Sequence, residues 1–268
     1  MSIITLTTDW ISDDHYIGMV KGRIMSESPG VSIVDISHRV PLYSYKYAAF
    51  VLRQCFKTFP KGTVHIMGVA SERTAGIRHV AIAAKGQFII GADLGMFHYI
   101  VEDEPEEVVE LLEVDCKGFP EYHVFAHAAS MLANGKKLSE LGKKTDQFLR
   151  ATPQLPTIEQ SYISGSVAYI DSYGNAITNI STNDFEKVGK GRNFKITLSS
   201  NRHLIETLNT SYIQSKPGEL LALFNTANLL EIAIYNGSAS HLLNLKIDSS
   251  VNVRFFDKPE REELKMGW

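Results

Sequence analysis

Cysteine is scarce in this chain of 268 residues, with only Cys55 and Cys116 far apart in the sequence. Two isolated cysteines do not make a zinc site, and we expect both to be reduced, small core residues. Long apolar runs are also missing, so the sequence predicts no membrane-spanning helix. Asp9 precedes any long apolar segment, which predicts no secretory signal and a cytoplasmic location.

The sequence also has no excess of positive charge. It contains 27 Lys and Arg residues and 30 Asp and Glu residues, so the net charge is −3. Basic side chains are scattered along the chain, which argues against nucleic acid as a partner. Neither Gly-x-Gly-x-x-Gly nor Gly-Lys-Ser/Thr occurs, so no phosphate loop is predicted. His123 and His127 have the spacing of a metal pair but no evident third ligand, so we expect no metal and no resident cofactor.

The most informative stretch is 7–22, Thr-Thr-Asp-Trp-Ile-Ser-Asp-Asp-His-Tyr-Ile-Gly-Met-Val-Lys-Gly. Residues 3–7 are β-branched and predict a strand, and the apolar spacing over 16–24 predicts a helix that Ser12 or Asp13 would cap. Three carboxylates lie at this crossing: Asp9, Asp13 and Asp14. In an α/β sheet, ligands bind beyond the carboxyl ends of strands. Carboxylates there suit a ligand with hydroxyls, amines or positive charge, although Asp13 has simple capping as its alternative role.

Residues 1–150 alternate predicted strands with predicted helices. The strands are expected at 3–7, 31–37, 62–69, 78–84, 87–91 and 108–114, and the helices at 16–24, 43–59 and 124–132. Lys85-Gly86 predicts a hairpin turn between two of the strands. This alternation is typical of an α/β domain with a mainly parallel sheet covered by helices.

The texture changes after residue 150. Residues 151–164 lose periodicity and contain Pro153 and Pro156, which predicts a linker. Short strands separated by turns follow in 165–268, at 165–170, 176–180, 193–198, 219–224, 230–235 and 250–256. They predict a smaller antiparallel β-rich C-terminal domain, either barrel-like or a sandwich.

Residues 171–175, Asp-Ser-Tyr-Gly-Asn, form the second informative stretch. The Asn175 amide carries both a donor and an acceptor, which fits the edge of a purine, and Tyr173 offers a face for stacking. A plain β-turn would use the same residue types. The residues alone leave both interpretations open.

Several motifs together resemble one known family along nearly the whole chain. They are Thr8-Asp9-Trp10 with Asp14-x-Tyr16-Ile17-Gly18, Val34-Asp35-Ile36-Ser37-His38, Phe59-Pro60-x-Gly62-Thr63-Val64-His65, Asp93-x-Gly95, Phe125-Ala126-x-Ala128-Ala129, 170–180 and 230–239. In this order they resemble the S-adenosylmethionine hydroxide adenosyltransferase family, which also contains fluorinating and chlorinating enzymes. The resemblance favours the purine interpretation of Asn175.

The resemblance implies an α/β domain followed by a β-rich domain, and a homotrimer that holds a nucleoside between subunits. Asp9 would bind the two ribose hydroxyls, with Trp10 in the same binding segment. Asp14 and Asp171 would face the cationic methionine end of S-adenosylmethionine. The base would be bound by the side chains of Asn175 and Tyr173 and by the backbone around Ile234 and Asn236.

The implied chemistry is displacement at the ribose C5′, with neutral methionine as the leaving thioether. The family's hydrolase segment has an Asp, an Arg and a His, and this chain departs from that pattern at two of the three. Ala70 stands at the Asp position and Pro120 at the His position, while Arg78 is the best match to the Arg. Glu72 and His123 are the predicted replacements for the acid and the imidazole.

Three functions follow as hypotheses. The first is a divergent hydrolase that converts S-adenosylmethionine to adenosine and methionine. The second is a catalytically degenerate protein that binds S-adenosylmethionine or adenosine without turnover. The third is an enzyme with another nucleophile, such as a halide, or another nucleoside; it ranks last because the residues of the halogenating members are not matched.

Overall fold

A computed structural model describes residues 2–11, 14–74, 76–112, 118–151, 154–198 and 204–257. The chain divides into two compact units, Met1–Pro153 and Gln154–Trp268. No helix among the described residues is long and apolar enough to cross a membrane. Cys55 is a free, partly buried thiol, and Cys116 lies outside the described residues.

The first unit alternates strands and helices, as predicted. Its strands are β1 Ile3–Thr8, β2 Ser32–Ser37, β3 Val64–Gly68, β4 His79–Ala84, β5 Gln87–Ala92, β6 Glu107–Leu111 and β7 Gly142–Lys144. Its α-helices are α1 His15–Glu27, α2 Tyr45–Phe56, α3 Phe97–Val101 and α4 Ala126–Ala133, with a π-helix over Glu121–Phe125 and a 3₁₀ turn over Leu138–Glu140. Helix α3 and strand β7 have no counterpart in the sequence prediction.

These strands form one sheet in the order β2-β1-β3-β5-β4-β6-β7. Pairing is parallel across β2, β1, β3 and β5 and antiparallel across β4, β6 and β7, so the mainly parallel sheet is confirmed for the N-terminal strands. The parallel strands end at one edge, which we call the carboxyl edge. Asp9, Val69 and Asp93 directly follow β1, β3 and β5 there, and His79 begins β4 at the same edge because it pairs with Ala92.

Helices cover both faces of this sheet. Apolar residues of α1 and α4, among them Val20, Ile24 and Ala129, pack with Ile4 and Ile66 in one core. A second core contains residues of α2 and α3, including Leu52, Phe56 and Phe97. Strands buried on both faces explain why β3 and β5 are mostly apolar rather than alternating, with His65 and Gln87 as the buried polar exceptions.

The second unit is an antiparallel sheet. Its strands are β8 Thr157–Glu159, β9 Tyr162–Ile170, β10 Ala176–Ser181, β11 Asn193–Leu198, β12 Leu204–Ile205, β13 Leu220–Phe224, β14 Leu229–Ile234 and β15 Ser250–Phe256. Its helices are α5 Thr182–Gly189 and α6 Ala239–Leu242, with a 3₁₀ turn over Tyr212–Gln214.

The strand order β12-β11-β15-β9-β10-β14-β13 brings β12 near β13, so the sheet is nearly barrel-shaped around its own apolar core. This confirms the antiparallel β-rich expectation. Strand β8 pairs with β9 inside residues 151–164. Six of the fourteen residues of the predicted linker, 157–159 and 162–164, therefore belong to this sheet, because the residues after Pro156 pair with β9 in a way that local composition does not reveal.

Candidate functional site

Asp9 lies at the carboxyl edge, immediately after β1, and is only 8% exposed. Its Oδ2 accepts a hydrogen bond of 2.8 Å from the backbone N–H of Tyr43. Burial raises the pKa of this carboxyl, while hydrogen bonds from the backbone of Tyr43 and from its own backbone lower it in part. Tyr43 holds this position with φ at 61°, a left-handed conformation that is uncommon for a bulky residue.

Trp10 is half-buried and braced by aromatic rings. Its ring stacks on His38 at 6.4 Å between centroids and meets Phe119 edge-on at 5.7 Å. His38 Nδ1 lies 2.7 Å from Thr8 Oγ1, and His38 Nε2 lies 3.1 Å from Asp35 Oδ1. These contacts hold the segment around Asp9 from both sides.

Asp14 is exposed and stands at the N-terminal cap position of α1, without a side-chain capping bond. Its carboxylate is therefore open to solvent or to a ligand, and its contact with the methionine end stays a prediction. Ser12 and Asp13, the expected caps, lie outside the described residues.

Glu121 is the acidic residue that the sequence interpretation missed. It is 6% exposed, and its side chain reaches the ends of β1 and β3. A Cβ built on Gly68 would lie 2.9 Å from Glu121 Cγ, 3.2 Å from Thr8 Cγ2 and 3.3 Å from Trp10 Cζ2. Only glycine leaves room for this approach.

A sequence signal for Glu121 exists. Phe125, Ala128 and Ala129 follow it at helical spacings of four, seven and eight residues and are buried. A carboxylate in register with that apolar stripe is predicted to point inward. Comparison with the family motif drew attention to Pro120 and His123 instead.

The electrostatics around Glu121 favour its neutral form. Burial is the largest cause that raises its pKa, and the charges of Asp9 and Glu72 raise it further, while its own backbone N–H and the Ser71 hydroxyl lower it. No Lys or Arg forms an ion pair with Asp9 or Glu121 within the described ranges. Two buried carboxyls at one sheet edge without a cation are a functional-site signature.

The loop after β3 contributes Ser71 to the same region. Its hydroxyl is buried and lacks a hydrogen-bond partner of normal geometry among the described residues. The backbone carbonyl of Ser71 accepts a 2.8 Å hydrogen bond from His79 Nε2, which fixes the loop. Ala70, at the expected Asp position, has φ at 50°. Such left-handed backbone at a non-glycine residue concentrates at functional sites.

Arg78 lies at the carboxyl edge but is committed to carboxylates. Its guanidinium is 3.3 Å from Asp93 Oδ2 and 3.4 Å from Glu110 Oε2, and it also donates to the backbone carbonyl of Gln147. Asp93 in turn accepts from the N–H of Leu149. These contacts give Arg78 a structural position, and its catalytic role stays a prediction.

Glu72 and His123, the other predicted catalytic residues, are less favourably placed than Glu121. Glu72 is exposed, although its charge reaches Glu121. His123 is half-buried within the π-helix and its ring meets Tyr122 edge-on at 5.0 Å. Residues two apart on a helix do not share a face, so His123 and Glu121 point in different directions.

The predicted base-binding residues of the second unit gather on one turn. Asp171 Oδ1 accepts from the N–H groups of Tyr173 and Asn175, both at 2.9 Å, and its Oδ2 accepts from Asn175 Nδ2 at 3.1 Å. Asp171 thus shapes the turn, and its contact with the methionine end stays a prediction. Asn175 is 6% exposed with its amide oriented, whereas Tyr173 is 78% exposed.

A second turn of the same unit lies against this one. The N–H of Ser240 donates to the carbonyl of Gly174 at 2.8 Å, and Gly174 has φ at 80° beside the Ser238 side chain. Ile234 ends β14 and is buried, and Asn236 follows it, exposed, with φ at 56°. The structure therefore brings Asp171, Asn175 and the 234–236 segment together within the second unit.

Metal ligation finds no support in the described part of the chain, where no group of three or more His, Cys, Asp or Glu residues has a metal-binding arrangement. His127 forms a 2.8 Å contact with Glu27, and so belongs to a surface pair.

Known proteins resemble this chain over most of its length. It is 26% identical to an (R)-S-adenosyl-L-methionine hydrolase of Methanocaldococcus jannaschii, over 91% of this chain and 93% of that protein. A hydrolase of the same name from Thermus thermophilus is 27% identical, over 92% and 97%. A fluorinase of an Actinoplanes species is 25% identical, over 94% and 97%.

Solved structures share the fold. An uncharacterised conserved protein from Thermotoga maritima superposes with a TM-score of 0.84 at 24% identity, covering 95% of this chain and all (100%) of that one. A conserved hypothetical protein from Thermus thermophilus gives a TM-score of 0.75 at 26% identity, covering 96% and 100%. The family model for the SAM hydroxide adenosyltransferase N-terminal domain matches residues 4–142, and the C-terminal domain model matches 165–252. On both matches, this chain belongs to the SAM hydroxide adenosyltransferase family.

Proposed function

We propose that this protein hydrolyses S-adenosylmethionine to adenosine and methionine. The observation that carries the proposal is the pair of buried carboxyls, Asp9 and Glu121, at the carboxyl edge without a cation among the described residues. An unpaired buried carboxylate is unfavourable, and a cationic ligand relieves it. S-adenosylmethionine brings such a charge on its sulfonium. The relatives of this chain from Methanocaldococcus jannaschii and Thermus thermophilus are named as hydrolases of this compound.

The chemistry needs little from the protein beyond placement. Water attacks the ribose C5′, the C5′–S bond breaks, and its electron pair leaves with sulfur as neutral methionine. A binding site accelerates this step by aligning water behind the carbon and by removing competing solvent. The attacking water loses one proton, and the site must accept that proton.

The same carboxylates argue against the halide alternative. A halide ion at this edge would be repelled by the charges of Asp9 and Glu72, which already raise the pKa of Glu121. Water carries no charge and suffers no such penalty. A fluorinase among the similar proteins therefore does not change the proposal. A protein that binds without turnover is the remaining alternative, and the experiment below distinguishes it.

For substrate binding, we propose that Asp9 accepts the two ribose hydroxyls and that Asp14 faces the ammonium group of the methionine end. On the second unit, Asn175 Nδ2 already donates to Asp171, so its Oδ1 is left to accept from the adenine amino group. The exposed ring of Tyr173 would stack near the base, and the backbone at Ile234 and Asn236 would contact it.

We also propose that the protein is a homotrimer that binds the nucleoside between subunits. Ile11, Leu42 and Tyr43 lie around Asp9 and are 58%, 64% and 72% exposed, and Tyr173 is 78% exposed. Exposed large apolar side chains beside a binding residue are typical of a surface that a protein partner covers, and a homotrimer would supply that partner. Sedimentation analysis measures the subunit number.

The test is to incubate the purified full chain with S-adenosylmethionine and to follow adenosine and methionine by chromatography. We expect release of both products in equal amounts, and loss of release in an Asp9→Ala variant. A reaction without protein serves as the control for spontaneous decay. No release above that control, with adenosine still bound in calorimetry, would reject hydrolysis in favour of the binding-only alternative.

A further inference from the structure

Glu121 occupies a position that the binding roles proposed above leave unused. It is 6% exposed, and its Cγ approaches Gly68 so closely that no side chain would fit there. The same point is bordered by Thr8 and Trp10, the two residues on either side of Asp9. Its carboxyl therefore lies beside the segment that contains the ribose-binding Asp9.

An unusual backbone segment places Glu121. The π-helix Glu121–Phe125 precedes α4, and single π-helical turns are rare and often found at functional sites. A wider turn changes the angle at which a side chain leaves the helix. Glu121 consequently points at the ends of β1 and β3 while Phe125 remains in the core beneath α1.

The polar surroundings of Glu121 suit a water molecule. The Ser71 hydroxyl is 5% exposed and has no partner of normal hydrogen-bond geometry in the described ranges, yet it lies close enough to lower the pKa of Glu121. A buried hydroxyl whose hydrogen bond is poorly formed favours a ligand or water that completes it. A water bound between Ser71 and Glu121 would have one donor and one acceptor to orient it.

We propose that Glu121 is the catalytic base of this protein, taking the role that the family's hydrolase segment gives to other residues. The inference rests on the proposed hydrolase function. The Glu121 carboxylate accepts a proton from water as the water oxygen bonds to C5′, and the C5′–S electron pair leaves with methionine. The proton then passes from Glu121 to solvent, so the sum is one adenosine, one methionine and one proton.

The residues given catalytic or ribose-binding roles above do not meet the requirements of a base. Arg78 is charged and paired with Asp93 and Glu110. Glu72 is exposed, so water rather than protein controls its position. His123 lies on another face of the π-helix. Asp9 already accepts from Tyr43 and is assigned to the ribose.

The experiment compares wild type, Glu121→Gln and Glu121→Asp in the release of adenosine from S-adenosylmethionine, from about pH 5 to about pH 9. Glutamine keeps the shape of the side chain but cannot accept the proton. We expect kcat to fall about 10²- to 10⁴-fold in Glu121→Gln, the usual contribution of a base. With S-adenosylmethionine saturating, so that protonation of the binding residue Asp9 does not limit the rate, the acidic limb of the wild-type kcat profile marks protonation of Glu121 and should disappear. Glu121→Asp should retain the limb and part of the rate.

Glu106→Gln is the matched control, because Glu106 is exposed and contacts the Gly86 turn at the opposite edge of the sheet. Its rate and pH profile should equal those of the wild type. Adenosine affinity should change less than about threefold in Glu121→Gln, which separates chemistry from binding. Since burial raises the pKa of Glu121, ionised Glu121 destabilises the fold at high pH, and the Gln variant should melt no lower than wild type.

Two outcomes overturn the proposal in different ways. An active wild type with an equally active Glu121→Gln, or with an unchanged acidic limb in that variant, would reject Glu121 as the base and leave the hydrolase function standing. A wild type that releases no adenosine would reject both the function and the base. Should Glu121→Gln fail to fold, the same comparison is made with Glu121→Asp. If Glu121→Asp reacts at the rate of the wild type and its pH profile has no acidic limb, the proposal is rejected.

Discussion

At the scale of single residues, the candidate site depends on two carboxyls whose environments differ. Asp9 is held by the N–H of Tyr43, which fixes its orientation and opposes part of the effect of burial on its pKa. Glu121 has no such donor from another residue's backbone in the part of the chain that the structure describes, and the charge of Asp9 raises its pKa further. An oriented carboxylate suits binding of a diol, and a carboxyl with a raised pKa suits proton transfer.

Asp9→Ala should weaken adenosine binding by about 1.5 to 3 kcal/mol, because hydrogen bonds from the two ribose hydroxyls to a charged group would be lost. Isothermal titration calorimetry with adenosine measures this change without any need for turnover. The expected loss of binding free energy is this large because a charged hydrogen-bond acceptor contributes more than a neutral one.

Asp103→Ala is the matched control for that titration, since Asp103 is exposed and pairs with Lys85 at the opposite edge of the sheet. It should bind adenosine as wild type does. An Asp9→Ala variant with the control's affinity would remove the ribose assignment.

At the scale of elements, the sequence predicts best the turns and helices that depend on residues close together in the chain. Lys85 and Gly86 have φ at 52° and 75°, the two positive values of a type I′ turn, and the hairpin of β4 and β5 forms where the dipeptide predicts it. Helix α2 lies inside its predicted range because its apolar residues recur at helical spacing. Strand β8 was assigned to the linker because pairing with β9 is not a local property.

The candidate site shows the same division. Asp9, Asp14 and the 171–175 turn could be identified because they follow strands and carry polar side chains. The apolar spacing after Glu121 predicts an inward side chain, but its contact with Gly68, a residue distant in sequence, cannot be read from that spacing. Arg78 was given a catalytic role because its ion pairs with Asp93 and Glu110 cannot be read from the sequence.

Gly68→Ala tests how closely β3 and the π-helix fit. The new methyl group would meet Glu121 Cγ at 2.9 Å, so we expect lower stability and displacement of Glu121. In a Glu121→Ala background that contact is absent, and the same substitution should destabilise less. The coupling in a double-mutant cycle should be about 0.5 to 3 kcal/mol in urea unfolding.

Gly18→Ala provides the control for backbone effects. Gly18 lies in α1 with open space around its Cα, so alanine there should stabilise by about 0.5 to 1 kcal/mol in either background. Equal destabilisation by Gly68→Ala with and without Glu121 would show that the strand, and not the carboxyl, sets the requirement for glycine.

At the scale of the whole molecule, the chain has two units with separate cores, and family similarity extends over both. The proposed binding residues belong to both units, whereas the proposed base and its neighbours belong to the first alone. The two positions where the sequence analysis predicts a departure from the family's hydrolase segment, Ala70 and Pro120, also belong to the first unit.

A chain of buried hydrogen bonds in the core of the first unit makes the stability of the fold depend on pH. His65 is fully buried, with Nδ1 2.8 Å from Thr5 Oγ1 and Nε2 2.8 Å from Gln87 Oε1. Gln87 Nε2 donates to the carbonyl of Phe56, so Oε1 faces the histidine and Nε2–H is the donor to it. In neutral histidine Nδ1 accepts from the Thr5 hydroxyl, so both ring nitrogens have a partner.

Burial lowers the pKa of His65 to about 4, below its usual 6.5. The unfolded chain binds the proton more readily, so the stability from neutral His65 is complete above about pH 6.5 and is lost as pH falls toward 4. We expect His65 to account for about 2 kcal/mol of lost unfolding free energy between pH 8 and pH 5. His65→Gln, which cannot titrate, should be less stable at pH 8 but lose less on acidification. Urea unfolding at both pH values measures the difference, in which the carboxyls common to both proteins cancel. Parallel losses in the two proteins would mean that His65 is not the group through which acid destabilises the core.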